Sequence, residues 1–408
     1  MSLKKLNKIL ENNIYELEKK GQAKGKEKVI KDVILHNDGK GPRYILEGFE
    51  DKEFIRMNSN SYLGFSLLDE LIQEDIEAAR KFGVGPGAVR FISGTYSPHI
   101  KLERKLADFH SREAGMMFSS AYVTSMGVIA PLTDKKTVII SDELNHNCII
   151  NAIRMSRPAA KEIYQHNDMD DLEQKIESSL DKGERLLVVT DGIFSMRGDH
   201  APLDSIAKIC KQYNDSFDEG IITIADDSHG VGAFGKTGRG VEEYTNVKVD
   251  ILVGTLGKAF GVNGGYVVSS DPVIRYLREY APMYVYSNPV TVAEADTALK
   301  AVEILDSQEG IKLLRYLRKM IKKFRDGVKA LGFETIDSEH PIVPLMIGDT
   351  AKTIKLTEYL NNNGVLVTDI NYPVVPKGED EIRFQITAEH TSKDIDAVLK
   401  ILEDYPDR

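Results

Sequence analysis

The chain has 408 residues, of which 42% are hydrophobic, so it is long enough to bury a large core and, by length alone, to form two or three domains. Its formal net charge of −10 argues against a general nucleic-acid or anionic-membrane surface, because neutralising phosphates requires a basic face. Only two cysteines occur, Cys148 and Cys210, and the nine histidines are scattered, so we expect reduced thiols and no bound metal.

The amino-terminal part of the chain predicts one amphipathic helix. Residues 3–20 place Leu6, Ile9 and Leu10 at helical spacing among glutamates and lysines. Neither this segment nor any later one contains an apolar run of signal-peptide or membrane-span length. We therefore expect a cytoplasmic protein without a membrane span.

The middle of the chain, from about Leu67 to Tyr280, alternates apolar runs with helix-length amphipathic segments. The apolar runs are 137–140, 186–189, 221–224, 251–253 and 265–268. Such alternation predicts a mainly parallel sheet wrapped by helices.

After Pro289 the pattern changes. A long helical stretch, 293–331, is followed by strand-like pieces near 342–345 and 364–367, which indicates a smaller α+β domain. We predict an amino-terminal helix and arm at 1–60, a large domain at 61–290 and a small carboxyl-terminal domain at 291–408.

Two short segments bring a carboxylate and a lysine to the ends of apolar runs. Residues 224–229 read Ile-Ala-Asp-Asp-Ser-His, and residues 254–261 read Gly-Thr-Leu-Gly-Lys-Ala-Phe-Gly. A buried parallel strand delivers functional groups at its carboxyl end in this way. Asp226 could be an ordinary helix cap and Lys258 a solvated lysine, but the small neighbours of Lys258 favour a flat ligand close to the backbone.

Pyridoxal phosphate (PLP) requires such a pair of side chains. An amine holds its aldehyde as a Schiff base, and an anion beside the pyridine nitrogen keeps that nitrogen protonated. The sequence therefore predicts a PLP site containing Lys258 and one aspartate of the 226–227 pair. In an extended segment, alternate residues face opposite sides, so only one of the two carboxylates can point at the ring.

The runs at 255–261 and 226–229 resemble the α-oxoamine synthases, fold-type-I PLP enzymes that condense an amino acid with an acyl-CoA. Further matching motifs follow in the same order from about Asn58 to Thr391. The resemblance implies an α/β fold with a mainly parallel sheet in the large domain, a PLP-dependent C-acyltransferase activity, and a homodimer with composite active sites. It also places the pyridine partner at Asp226 rather than Asp227.

The resemblance further implies the remaining contacts with the cofactor. The phosphate would lie against Ala121, Tyr122 and Thr255, and Ser287 would complete the phosphate site of the neighbouring subunit. His146 would stack on the ring and donate a proton, Ser195 would contact the cofactor, and His229 would reach the phenolic oxygen. The predicted catalytic residues are Lys258, His146 and Asp226. The predicted cofactor-binding residues are Ala121, Tyr122, His146, Ser195, Asp226, His229, Thr255, Lys258 and Ser287.

Two motifs far apart in the chain resemble the family's substrate-binding segments. Asn60 lies in the Asn-x-Tyr-Leu-Gly motif, and Arg383 in the segment 381–391. An arginine can grip a carboxylate through two hydrogen bonds, and a nearby amide can complete the hold. The resemblance therefore implies that Arg383 and Asn60 bind the carboxylate of a small amino acid.

The branch of the family is read from local motifs that disagree. The runs at 89–95 and 371–378 look most like glycine C-acetyltransferase, which predicts glycine and acetyl-CoA as substrates. The run at 198–203 is more similar to the oxononanoate and sphingolipid branches, and Arg197 stands where the family usually has an acidic residue. The alternatives are an 8-amino-7-oxononanoate synthase, a serine palmitoyltransferase-type enzyme, a fold-type-I aminotransferase and a non-catalytic subunit.

Overall fold

A computed structural model describes residues 2–20, 22–23, 25–36 and 38–406. The contacts of the chain divide it into two compact units. The first unit comprises Met1–Ser59, Lys322–Ile336 and Ile342–Arg408, and the second comprises Asn60–Ile321 and Asp337–Pro341. Each unit is built from separate stretches of the chain, whereas each predicted domain is one continuous stretch. The predicted domain boundaries at 60 and 290 stay a prediction.

The α-helices are regular segments that mostly carry one apolar face. They are α1 (Ser2–Lys19), α2 (Asp69–Phe82), α3 (Ser97–Phe109), α4 (Ala121–Ile129), α5 (Asn147–Met155), α6 (Met169–Glu177), α7 (Leu203–Tyr213), α8 (Val241–Thr245), α9 (Asp271–Tyr280), α10 (Pro282–Val285), α11 (Val292–Leu305), α12 (Gln308–Ala330), α13 (Thr350–Asn362) and α14 (Ser392–Glu403).

The strands are short, and those of the second unit are rich in Val and Ile. They are β1 (Ile30–Ile34), β2 (Arg43–Leu46), β3 (Ile55–Arg56), β4 (Ala114–Phe118), β5 (Thr137–Asp142), β6 (Ala160–Tyr164), β7 (Arg185–Asp191), β8 (Ile221–Asp226), β9 (Ile251–Thr255), β10 (Gly265–Ser269), β11 (Ile342–Met346), β12 (Val365–Leu366), β13 (Asp369–Ile370) and β14 (Glu381–Gln385).

A seven-stranded sheet in the second unit has the order β4-β10-β9-β8-β7-β5-β6. The five strands from β9 to β6 run parallel, and β10 is antiparallel to both of its neighbours, β4 and β9. All residues of β5 and β9 are buried, as expected for strands covered by helices on both faces. The predicted mainly parallel sheet is confirmed, and the carboxyl ends of its central strands share one edge.

Apolar side chains fix this sheet against its helices. Ile139, Leu187, Ile224 and Val253 are at most 2% exposed and belong to one cluster with residues of α4, α5 and α9. Full burial of such a side chain contributes roughly 1.5–3 kcal/mol relative to leaving it exposed. The carboxyl ends of these strands are therefore held in place by a tightly packed core.

The predicted helical stretch at 293–331 is two helices rather than one. Helix α11 ends at Leu305 and α12 begins at Gln308. At the break, Ser307 Oγ accepts a hydrogen bond of 3.1 Å from the backbone N–H of Glu309. A serine that caps a helix start in this way competes with a continuous helix, which the apolar spacing alone does not show.

The first unit contains the antiparallel sheet β11-β14-β13 and two smaller pairings, β1 with β2 and β12 with β3. The strand pieces expected near 342–345 and 364–367 are β11 and β12. Inside this unit, Arg43 forms a buried ion pair with Asp394, at 2.5 Å between Nη2 and Oδ1. The expected amino-terminal helix is α1, whose Leu6 and Ile9 are 47% and 57% exposed.

Candidate active site

A cavity of about 250 Å³ lies in the second unit at the carboxyl ends of β5, β7, β8 and β9. Its lining residues are Ala121, Tyr122, His146, Cys148, Asp191, Ile193, Ser195, Asp226, Ser228, His229, Thr255 and Lys258. Eight of the nine predicted cofactor-binding residues are in this set, all except Ser287. Residues from five separate parts of the chain thus meet at one sheet edge.

Asp226, the last residue of β8, has hydrogen-bond donors at both carboxylate oxygens. Ser125 Oγ donates to Oδ2 at 2.6 Å, and Cys148 Sγ lies 3.5 Å from the same oxygen. Ser228 donates to Oδ1 through both its hydroxyl, at 2.5 Å, and its backbone N–H, at 3.2 Å. These donors fix the orientation of the Asp226 carboxylate at the end of β8.

Asp227 occupies a different environment. It is fully buried, its Oδ2 accepts a hydrogen bond of 2.7 Å from Val241 N–H, and its Oδ1 has no partner among the described residues. A Cβ at Gly240 would lie 1.8 Å from Oδ2, and one at Gly230 would lie 2.1 Å from Oδ1. Burial raises the pKa of Asp227 well above its usual value, and the charges of Glu242 and Asp226 add to the rise.

His146 follows β5 and caps the start of α5 at the cavity. Its backbone N–H donates to Asp191 Oδ2 at 3.0 Å, and its Nδ1 accepts from Cys148 N–H at 3.2 Å. Burial raises the pKa of Asp191 well above its usual value and the charge of Asp226 raises it further, while the His146 amide and the charge of Lys258 oppose the rise. Burial, followed by the charge of Asp226, also raises the pKa of the Cys148 thiol, so this thiol stays protonated.

Lys258 lies in a tight turn between β9 and β10. The turn is closed by backbone bonds from Gly261 N–H to Lys258 O at 3.0 Å and from Leu256 N–H to Gly264 O at 2.9 Å. Thr255 Oγ1 accepts from Gly257 N–H at 3.1 Å within the same turn. Among the described residues that line the cavity, Lys258 is the only lysine or arginine.

The imidazole of His229 is hydrogen-bonded to a buried tyrosine, Tyr62. Tyr62 Oη lies 2.8 Å from His229 Nδ1 and 3.3 Å from Asn60 Oδ1. Tyr62 is fully buried, Asn60 is half-buried, and neither lines the cavity. The structure therefore connects the predicted substrate residue Asn60 to the predicted cofactor residue His229 through Tyr62.

A sequence model of the aminotransferase class I and II family matches residues 52–402. The chain belongs to this family. Within it, the chain is 40% identical to the 8-amino-7-oxononanoate synthase of Thermoanaerobacter pseudethanolicus over 97% of its own length and 96% of the relative's. It is 37% identical to the enzyme of the same name from Treponema denticola, covering 96% of this chain and 98% of that one.

Solved structures point the same way. Serine palmitoyltransferase from S. paucimobilis with bound PLP superposes with a TM-score of 0.87 and 26% identity, covering 97% of this chain and 96% of that one. The Sphingomonas wittichii serine palmitoyltransferase gives a TM-score of 0.84 at the same identity, with coverages of 98% and 97%. The predicted fold, the α-oxoamine synthase resemblance and PLP as cofactor are confirmed. This member of the aminotransferase class I and II family is a PLP-dependent C-acyltransferase.

The residues of the cavity fit PLP. Helix α4 begins at Ala121, and the first amides of a helix have no partner within it, which suits a phosphate. A Cβ at Gly265 would lie 2.3 Å from Ala121 N, so a glycine is required where β10 passes this helix start. Lys258 would supply the amine and Asp226 the carboxylate that the cofactor requires. When bound, PLP supplies delocalisation of charge from a breaking bond at the substrate α-carbon.

Besides Asn60, two predicted site residues do not line the cavity. Ser287 lies on the short stretch after α10, where Tyr286 is 80% exposed, and its hydroxyl donates to Asn288 O at 3.4 Å. Arg383 lies on β14 of the first unit, half-buried and paired with Pro344 across the ladder. The roles of all the predicted site residues, including these two, stay predictions.

Four lining residues are absent from the sequence-based predictions: Cys148, Asp191, Ile193 and Ser228. Asp191 ends β7 in the Thr-Asp-Gly run, so its position at a strand end could have identified it. Cys148 follows His146 by two residues on a helix start and has no comparable signal. Within the described residues, no helix is long and apolar enough to cross a membrane, and no cluster of three or more His, Cys, Asp or Glu side chains is arranged for a metal.

Proposed function

We propose that this chain is an 8-amino-7-oxononanoate synthase that joins alanine to a seven-carbon dicarboxylic acyl thioester. The observation that supports this most is the 37–40% identity to proteins of that name over nearly the full length of both chains. The glycine and acetyl-CoA pair expected from the runs at 89–95 and 371–378 has less support than this alternative. The run at 198–203, which is more similar to the oxononanoate branch, agrees with it.

The product's structure defines the two substrates. Carbons 8 and 9 of 8-amino-7-oxononanoate, with the amino group on carbon 8, correspond to the α-carbon and methyl group of alanine. Carbons 1–7 correspond to a seven-carbon dicarboxylic acyl group. A new bond joins carbons 7 and 8, the thiol leaves carbon 7, and the alanine carboxylate leaves as carbon dioxide. The acyl carrier would be coenzyme A, as the family resemblance implies.

The cavity offers a group for each proton and charge in this reaction. Lys258 would hold the cofactor's aldehyde and accept or return a proton at the substrate α-carbon. Asp226, with its four donors, would keep a negative charge beside the pyridine nitrogen. His146, which lies between β5 and α5, would stack on the ring and donate a proton as the thiol leaves.

A thiol-release assay with a panel of donors and thioesters tests the proposal. Glycine, alanine and serine are each combined with acetyl-, pimeloyl- and palmitoyl-CoA, and the products are identified by mass spectrometry. Each methylene that a pocket receives contributes roughly 0.8 kcal/mol, so kcat/KM should rise steeply toward the true acyl length. We expect alanine with pimeloyl-CoA to exceed every other pair by about tenfold or more. The assignment is wrong if acetyl-CoA with glycine, or palmitoyl-CoA with serine, is preferred by that margin.

The same assay separates the aminotransferase alternative from an acyltransferase. An aminotransferase moves the amino group to a 2-oxo acid and releases no thiol. The Lys258→Ala variant is the control, because thiol release that persists in it comes from contaminating thioesterase rather than this site.

We also propose that the working enzyme is a homodimer in which Ser287 completes the partner's phosphate site. Its half-buried position outside the cavity, beside the exposed Tyr286, supports this. Mixing an inactive Lys258→Ala chain with a chain inactivated at Ser287 should restore part of the activity, since one site of each heterodimer would be intact. A fully active monomer by light scattering would refute the proposal.

A further inference from the structure

The segment Asp337–Pro341 belongs to the second unit although the chain before and after it belongs to the first. It forms neither helix nor strand. Its sequence is Asp-Ser-Glu-His-Pro. Such a segment requires a specific reason to pack where it does, and its hydrogen bonds give one.

Two side chains of the segment bind two backbone carbonyls. Ser338 Oγ donates to Gly198 O at 2.5 Å, and His340 Nε2 lies 2.8 Å from His229 O. Because a carbonyl oxygen only accepts, His340 Nε2 must carry a proton and donate it. The backbone N–H of His340 donates to Ser338 Oγ at 3.0 Å, so the two side chains are also joined to each other.

Both carbonyls belong to stretches that deliver lining residues to the cavity. Gly198 lies three residues after Ser195, in a turn closed by a bond of 2.8 Å from Gly198 N–H to Phe194 O. His229 lines the cavity itself. The segment therefore fastens the Ser195 turn and the His229 turn to one another from outside the cavity.

His340 also packs against the group that orients the His229 ring. The His340 ring is fully buried and lies edge-on to Tyr62, at 5.3 Å between ring centroids. Tyr62 Oη is the partner of His229 Nδ1. His340 thus binds the backbone carbonyl of His229, Tyr62 binds its imidazole, and the rings of His340 and Tyr62 contact each other.

We propose that Ser338 and His340 are positioning residues that fix Ser195 and His229 for cofactor binding. This inference rests on the proposed placement of the cofactor beside Ser195 and His229. It does not depend on which thioester the enzyme uses, because PLP binding is measured without substrate.

The test compares two buried histidines of the same unit that each make one 2.8 Å bond through Nε2. His340 contacts His229 O, whereas His110 contacts Tyr266 Oη away from the cavity. Variants His340→Leu, His340→Gln and His110→Leu are prepared as apoenzymes and titrated with PLP. Affinity is followed by fluorescence, and bound PLP is also followed by its visible absorption spectrum. The melting temperature of each apoenzyme measures the structural cost alone.

We expect His340→Leu and His110→Leu to lower the apoenzyme melting temperature similarly. The first removes the hydrogen bond to the buried carbonyl of His229, and the second removes the hydrogen bond to the buried hydroxyl of Tyr266. Only His340→Leu should bind PLP more weakly, by about tenfold, and shift the spectrum. His340→Gln, which keeps an N–H donor at a similar reach, should recover most of that loss. Equal PLP affinity and spectra in His340→Leu and His110→Leu would overturn the inference.

If His340→Leu does not fold, Ser338→Ala against Ser338→Thr decides the question. Loss of the hydroxyl should weaken PLP binding by about threefold, and threonine should preserve it; equal affinities would overturn the inference. Ser195→Ala and His229→Asn test the underlying placement. If these two leave PLP binding unchanged, the placement itself is wrong; if they weaken it while His340→Leu does not, only the positioning role is wrong.

Discussion

The end of β8 places two identical side chains in opposite surroundings. Asp226 faces the cavity, where hydroxyl, amide and thiol donors surround its carboxylate. Asp227 faces away, enclosed by Gly192, Gly230 and Gly240, and receives one amide hydrogen bond at Oδ2. The difference shows that the function of a carboxylate is set by the donors around it rather than by its position in a motif.

The two environments differ in how completely each carboxylate is hydrogen-bonded. Both oxygens of Asp226 accept hydrogen bonds, whereas Oδ1 of Asp227 has no partner among the described residues. The pKa of Asp227 is raised well above the usual value, first by burial and then by the charges of Glu242 and Asp226. A neutral Asp227 can still accept the Val241 N–H bond that begins α8. Asp226 is thus suited to chemistry, and Asp227 to holding the turn that follows it.

The largest expected effect is at Lys258, which lines the same cavity as Asp226. Lys258→Ala should reduce kcat/KM by about four orders of magnitude or more, because general acid–base catalysis alone contributes roughly 10²–10⁴-fold and the covalent hold on PLP is lost as well. The rate of thiol release at subsaturating substrate concentrations measures kcat/KM. Lys248→Ala, which removes an exposed lysine in the same region, is the control and should retain full activity.

The comparison itself is tested by paired substitutions at the end of β8. Asp226→Asn should cost on the order of 4 kcal/mol in transition-state stabilisation, from loss of the charge beside the pyridine nitrogen. Asp227→Asn keeps an acceptor for Val241 N–H and should cost less than about 1 kcal/mol in kcat/KM. Severe damage from Asp227→Asn with a harmless Asp226→Asn would reverse the assignment.

The glycine enclosure of Asp227 predicts a stability difference between two glycines of nearly equal backbone conformation. Gly240 has φ of +83° and no room for a Cβ beside Asp227, whereas Gly332 has φ of +85° and nothing within 4 Å. Gly332→Ala should cost about 1 kcal/mol of unfolding free energy from backbone strain, and Gly240→Ala about 2 kcal/mol more from overpacking. Equal costs in denaturant titrations would show that the enclosure of Asp227 can relax.

Another strand-end carboxylate, Asp142 on β5, differs from Asp227 in having a histidine, His166, as its partner. Burial alone would lower the pKa of His166, but its hydrogen bonds to Asp142 and Asp199 outweigh burial and raise that pKa to about 9. A histidine whose pKa is raised from 6.5 on folding contributes stability that is complete below pH 6.5 and lost as pH rises toward 9.

The size of this effect is on the order of 1–2 kcal/mol across that window, after allowing for the partial exposure of the cluster. Melting temperatures between pH 6 and 9.5 measure it, with His166→Gln as the comparison. The variant should lose most of the decline with pH. A parallel decline in both proteins would mean that His166 is not the group responsible.

The sequence predicts the cavity well because its residues end apolar strands. Asp226 ends β8 and Lys258 lies three residues after the end of β9, and period-two alternation predicts that only one of Asp226 and Asp227 faces the cavity. Tyr62 and His340 could not be assigned in this way, because their contacts with His229 span more than 100 positions of the chain. The residues of the cavity were therefore more predictable than those that support them.

The branch of the family was less predictable than the fold. The runs at 89–95 and 371–378 favoured a short acyl chain, but acyl length depends on the depth of a pocket formed by packing. Identity over the full chain favours the 8-amino-7-oxononanoate synthases. Similarly, the break between α11 and α12 depends on the side chain of Ser307 rather than on apolar spacing.

Lys258 is predicted to hold the cofactor in the cavity that Asp226 also lines. Borohydride reduction of the PLP-loaded protein, followed by proteolysis and mass spectrometry of the peptides, identifies the lysine that carries the cofactor. We predict a single pyridoxyl group, on the peptide containing Lys258. A label on any other lysine would contradict the account, because no other lysine lies among the described residues that line the cavity.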